Sequence, residues 1–206
     1  MHGLFQRSMM FICALGLVSQ LSARGDNLID VNINNEDLEL EYTGINEWSR
    51  NSQTYFSAGI LNSYDENDIQ HLLYSVSMTQ IGLTDLRGVG FGIGFRGVFS
   101  ILNEDVDPYG KKDSHEVGAI GIRAKVMYTF PVRVKTILSG TLNYGPRSLS
   151  LNTEMEKYRE YRVDLEAEPI DGGWIYAGYR SIEFEFDNGE TYEMNKKLYV
   201  GMKIYF

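Results

Sequence analysis

From about residue 27 to the C-terminus, apolar and polar residues alternate with a period of two, window after window. Leu38, Leu40 and Tyr42 alternate with Glu39, Glu41 and Thr43. Val89, Phe91, Ile93 and Phe95 alternate with Gly90, Gly92, Gly94 and Arg96, and Ile120, Ile122, Ala124 and Val126 with Gly121, Arg123, Lys125 and Met127. Tyr161, Val163, Leu165 and Ala167 alternate with Glu160, Arg162, Asp164, Glu166 and Glu168. Leu198, Val200, Met202, Ile204 and Phe206 alternate with Tyr199, Gly201, Lys203 and Tyr205. Successive side chains of a strand point to opposite faces, so this period specifies strands with one apolar face and excludes helices in these windows. No stretch beyond residue 27 approaches the length of apolar chain that a membrane-spanning helix needs, so strands alone could carry this part of the chain across a bilayer.

The N-terminal segment has a different character. Arg7 supplies a basic start, Met9 to Val18 an apolar run, and Ser22, Ala23 and Gly25 small residues, the layout of a secretory signal peptide. Residues 1-23 are therefore expected to be removed, with cleavage after Ala23 or after Gly25, leaving residues 24-206 as a single domain. The one cysteine, Cys13, leaves with the signal, so the exported chain has no disulfide to brace it and needs another source of closure, such as a hydrogen-bonded barrel. The formal net charge of -9 argues against nucleic acid as a partner. A mean hydropathy of -0.25 fits a barrel in which every second residue meets water.

Counting back from the C-terminus, the segments between strands are 187-196 (long), 169-173 (tight), 147-157 (long), 130-133 (short), 102-114 (long and acidic), 81-87 (shorter) and 63-69 (acidic). Short turns alternating with longer loops is the outer-membrane pattern, and with both termini on the periplasmic side the strand number must be even. Ile29, Val31 and Ile33 supply the strand that restores parity. The expectation is an all-β, transmembrane, antiparallel up-and-down barrel of ten strands, or of eight if the polar N-terminal pair stays outside the wall. One strand, Trp174 to Phe186, carries apolar residues first on one parity (Ile175, Ala177, Tyr179) and then on the other (Ile182, Phe184, Phe186). Either a β-bulge shifts its phase or its far half projects beyond the bilayer.

A soluble exported sandwich also alternates, but here the expected inner face mixes glycines with charges of both signs. Glycine weakens a soluble sheet and is better tolerated where a narrow lumen must admit long charged side chains from neighbouring strands. The last strand, with Tyr199, Val200, Met202, Ile204 and the terminal Phe206, resembles the assembly signal of outer-membrane barrels. The expected partners are accordingly outer-membrane lipid and the barrel-assembly machinery, with the barrel monomeric.

Four further segments carry a family resemblance: Val89-Gly90-Phe91-Gly92-Ile93-Gly94-Phe95, Tyr144-Gly145-Pro146-Arg147-Ser148-Leu149, Ala177-Gly178-Tyr179-Arg180-Ser181-Ile182 and Leu198-Tyr199-Val200-Gly201-Met202. In this order and spacing they resemble the YfaZ family of outer-membrane proteins over about residues 88-206. The resemblance implies location and fold, and brings no activity or substrate with it.

Candidate chemistry is sparse. Gly92-Ile93-Gly94-Phe95-Arg96-Gly97 matches the dinucleotide fingerprint, which needs a helix after it, whereas strand alternation runs through it. Asp105, Asp107, Asp113 and Glu116 resemble calcium-loop ligands, but Tyr109 replaces an oxygen ligand and no helices flank the loop. His71 and His115 are the histidines beyond the signal, and any serine- or aspartate-based hydrolase would need one as base. His115, among Asp113, Ser114 and Glu116, is the candidate. Neither reading outweighs a solvated acidic loop, and no enzyme, metal or cofactor is expected.

The most informative constellation is the set of charges assigned to the lumen. Arg96, Arg123, Lys125 and Lys135 fall on three consecutive strands, Glu160, Arg162, Asp164, Glu166 and Glu168 on the next, Glu39 and Glu41 near the start, and Lys203 near the end. Cross-strand ion pairs would fill a small barrel, and this is the preferred expectation. The same charges could instead set a field across a narrow pore for small polar solutes.

Overall fold

The computed structural model describes residues 26–49, 52–64, 70–84, 86–103, 114–151 and 155–206. The expected signal segment and the calcium-like loop residues Asp105, Asp107 and Asp113 lie outside the described residues. Ten strands follow in chain order: β1 (Asn27–Ile33), β2 (Asp37–Ser49), β3 (Ser52–Tyr64), β4 (Gln70–Leu83), β5 (Val89–Asn103), β6 (Ser114–Phe130), β7 (Lys135–Pro146), β8 (Met155–Ile170), β9 (Gly173–Phe186) and β10 (Thr191–Tyr205). Each pairs antiparallel with the next, and β10 returns to β1 to close the barrel. The seam begins where Asn27 and Phe206 exchange two backbone hydrogen bonds of 3.0 Å, so both described chain ends lie at one rim. Closure gives the strand edges partners, which a wall in hydrocarbon requires. The polar β1–β2 pair belongs to the wall, which removes the eight-strand alternative.

Alternation sorts the wall. On the outside Phe91, Ile93 and Phe95 of β5 and Val200, Met202 and Ile204 of β10 are each more than half exposed. On the inside, their neighbours in sequence Arg96 and Lys203 are buried. β5 runs unbroken through the Gly92–Gly97 motif as far as Asn103, so the motif is strand throughout.

β9 resolves the phase question without a bulge of its own. Trp174, Tyr176, Arg180, Ile182 and Phe184 are all buried at one parity, so its inner face is continuous. What changes is polarity: below Arg180 the outer face carries Ile175, Ala177 and Tyr179, and above it Glu183 and Glu185. The far half stands above the apolar belt, where lipid no longer dictates the outer residues. The register shift lies in the neighbour, between Glu193 and Asn195 of β10, so that Met194 and Asn195 are both buried. The bounds of three expected connectors are corrected. Segment 187-196 shrinks to 187–190, closed by Gly189 (φ 83°), whose N–H donates to the Phe186 carbonyl, because the polar residues from Thr191 onward are strand. Likewise β8 begins at Met155 rather than beyond 157, and it runs on through Pro169 to Ile170.

Gly94 marks a tight corner between β4 and β5. A Cβ there would lie 1.9 Å from the Met78 carbonyl oxygen and 2.8 Å from Thr79 Cα, both backbone atoms. Gly94→Ala should therefore lower the unfolding free energy by about 1–3 kcal/mol, as overpacking does. Urea titration of the barrel folded in lipid vesicles measures this. Gly140→Ala is the control, since its Cβ would meet only Val126 Cγ1, at 3.6 Å. Equal losses in the two variants would refute the corner.

Candidate functional site

The inward register of six strands brings the sequence-assigned charges into one lumen. Arg96 on β5 reaches across to Glu160 on β8 (2.9 Å) and to Glu41 on β2 (3.5 Å). Arg162 on β8 holds Asp164 on its own strand (3.0 Å), Glu39 on β2 (3.2 Å) and Asp30 on β1 (3.8 Å). Lys203 on β10 pairs with Glu166 at 2.7 Å. Lys135 sits at the rim, 3.4 Å from Glu168 and over the Trp174 ring at 4.9 Å. Arg123 takes neutral partners, Asn143 at 2.9 Å and Ser77 at 2.8 Å, and Lys125 lines the same cavity. The basic and acidic residues are therefore knitted together across the lumen, rather than facing each other as two separate walls.

Sequence reasoning missed the centre of this network. Arg180 is fully buried and binds Glu39 at 2.6 Å, with Asp37 at 3.7 Å and Asn195 at 3.2 Å. Asn195 in turn donates to Asp37 at 2.7 Å, and Asn32 to Glu39 at 2.5 Å. Three tyrosines add hydroxyl donors: Tyr158 to Glu160, Tyr176 to Asp30 and Tyr199 to Asp164. Tyr199, grouped with the terminal assembly pattern, is thus a buried lumen residue, while Val200, Met202, Ile204 and Phe206 face outward. Parity counted from Phe206 would have separated it from them.

Above the ionic layer the lumen changes character. Leu61, Leu73, Val98, Val117, Ala119, Met155, Tyr158, Ile182, Phe184 and Met194 form one buried cluster drawn from seven strands, with Phe186 and Tyr192 packed against it. His71 is buried at its edge, its ring against Tyr192 at 5.5 Å and its Nε2 2.8 Å from the Tyr192 hydroxyl. This apolar plug fills the loop end of the barrel. Below the ionic layer lies a cavity of about 540 Å³, bordered by Gly88, Thr129 and Gly172 at the turn end, and so open on that side. Of the remaining candidates, Glu116 is exposed on β6, and His115 contributes backbone pairing with Leu102.

A closed barrel that is apolar outside and ionic inside is stable where hydrocarbon bathes its wall. The chain is an outer-membrane β-barrel protein. No protein-family model and no curated protein matches it. Among solved structures it is similar to the NanC porin, at 12% identity and a TM-score of 0.42, over 88% of this chain and 98% of that one. It is also similar to LpxR from Salmonella typhimurium, at 10% identity and a TM-score of 0.43, over 88% of this chain and 99% of that one. The outer membrane channel DcaP of Acinetobacter baumannii matches at 11% identity and a TM-score of 0.41, over 86% of this chain and 54% of that one.

Proposed function

We propose that this protein is a small, non-conducting barrel with a structural or general envelope role, monomeric and without enzymatic activity. The observation that carries the reading is the apolar plug from Leu61 to Met194 above the charge network. Ions do not cross a packed apolar constriction, which excludes the water they need. The ion pairs below it then serve cohesion, linking β2, β5, β8 and β10 across the lumen. His71, fully buried against Tyr192 at the edge of the plug, is poorly placed to meet a substrate. The order of the four sequence motifs supports a place in the YfaZ family, and the outward Val200, Met202, Ile204 and Phe206 support recognition by the barrel-assembly machinery. The alternative, a narrow pore for small polar solutes, draws support from the open charged cavity and requires the plug to move. Planar-bilayer recording on the mature barrel tests the choice: the expected trace is silent, and steady single-channel steps in the wild type would overturn the proposal.

A further inference from the structure

Two cations lining the cavity are treated differently from the rest. Arg123 and Lys125 occupy successive inward positions of β6, about 7 Å apart along the strand. Lys135, Arg162 and Lys203, which line the same cavity, each have a carboxylate within ion-pair distance. Among the described residues neither Arg123 nor Lys125 has one.

Arg123 is instead held by neutral acceptors. Its Nε donates to Asn143 Oδ1 at 2.9 Å and its Nη1 to Ser77 Oγ at 2.8 Å. Asn143 is itself fixed, because its Nδ2 donates to Glu160 at 3.0 Å and so turns its oxygen to the arginine. This second link orients the guanidinium while leaving it without a carboxylate in direct contact, Glu41 and Glu160 acting on it only at longer range, and no hydrogen bond from its Nη2 reaches the described residues. Lys125 lies beside it with Thr141 as its cross-strand neighbour, a hydroxyl also bordering the cavity. Of the seven carboxylates that line the cavity, Glu166 is engaged by Lys203, Asp164 and Asp30 by Arg162, Glu41 by Arg96 and Glu168 by Lys135, while Asp26 and Asp171 are exposed to solvent at the turn end.

A charge in a confined, weakly polarisable space is costly unless an opposite charge meets it, and charge-assisted hydrogen bonds to carboxylate or phosphate oxygens are the strong ones. We infer that the cavity is a binding site for a small anion, a carboxylate- or phosphate-bearing solute from the turn side of the barrel, held by Arg123 and Lys125. A volume of about 540 Å³ suits a small molecule. The inference rests on the reading that the cavity ends blindly at the plug, since an anion bound there has one way in and out.

Isothermal titration of the mature, folded barrel in a non-ionic detergent tests it, with inorganic phosphate, acetate and choline as probes. Phosphate, acetate or both should give saturable heat and choline none. The anion that binds names the chemical class. Lys125→Met should weaken that binding by about tenfold or more, equal to about 1.4 kcal/mol, and Lys125→Arg should restore it. Heat-modified gel mobility confirms that both variants are folded. Absence of saturable heat with both anions, or binding unchanged by Lys125→Met, would overturn the site. Conductance separates the two readings: a conducting wild type that binds anions defeats the blind end and leaves the site standing.

Discussion

Replacing Arg180 with methionine is expected to lower the unfolding free energy by about 3–5 kcal/mol, the cost of breaking a buried ion pair from one side. Methionine fills much of the arginine's volume, so the loss is one of charge and hydrogen bonds rather than of packing. Arg180 is fully buried, and its removal leaves Glu39 and Asp37, both also buried, without their shared cation. Glu39 would keep Arg162 at 3.2 Å, and Asp37 would keep the hydroxyl of Ser63 at 2.6 Å. These remaining partners are why the expectation stays within that range. Urea titration in lipid vesicles, read by heat-modified gel mobility, gives the number. Adding Glu39→Gln should recover part of the loss, because the orphaned charge goes with it. A loss below about 1 kcal/mol would place Arg180 with surface pairs, such as exposed Arg147 with Asp187 at 2.6 Å, which contribute little.

The second large effect concerns the plug. Phe184 is fully buried in it, and Ile182 beside it nearly so. Phe184→Ala should lower the unfolding free energy by about 3–5 kcal/mol through the cavity it leaves. Ile182→Ala combined with it should admit water through the loop end and turn a silent barrel into a conducting one. The two readouts are independent, since a destabilised barrel can still be recorded once inserted. A double variant that is folded and still silent would assign the seal to the ionic layer around Arg180 and Arg96.

The lower wall was legible because lipid enforces an apolar residue at every second position. The same parity then delivers Arg96, Arg123, Glu160, Glu166 and Lys203 to the lumen. Legibility stopped where the lipid does. Above Arg180 the outer face turns polar and the inner face apolar, so Ile182 and Phe184 mimic a phase shift and Thr191 to Lys196 mimic a loop. Arg180 sits at that crossover, and its role was hidden by the ambiguity. The plug could not be read at all: Leu61, Val98, Phe184 and Met194 meet only because the barrel closes, and no local pattern announces partners so far apart in the chain.

The reversal of polarity along β9 and β10 also sets a vertical dimension. On β10 the lipid-facing run extends from Leu198 to Phe206, and at the rise and tilt usual for barrel strands it spans about 20 Å. That is somewhat less than the apolar height of about 25 Å common to such barrels. The apolar wall is therefore low at β10, whereas on β5 the outward run from Phe91 to Ile101 reaches about 25 Å. Long-chain lipids would have to pucker beside the β1–β10 seam and could stand unbent against β5.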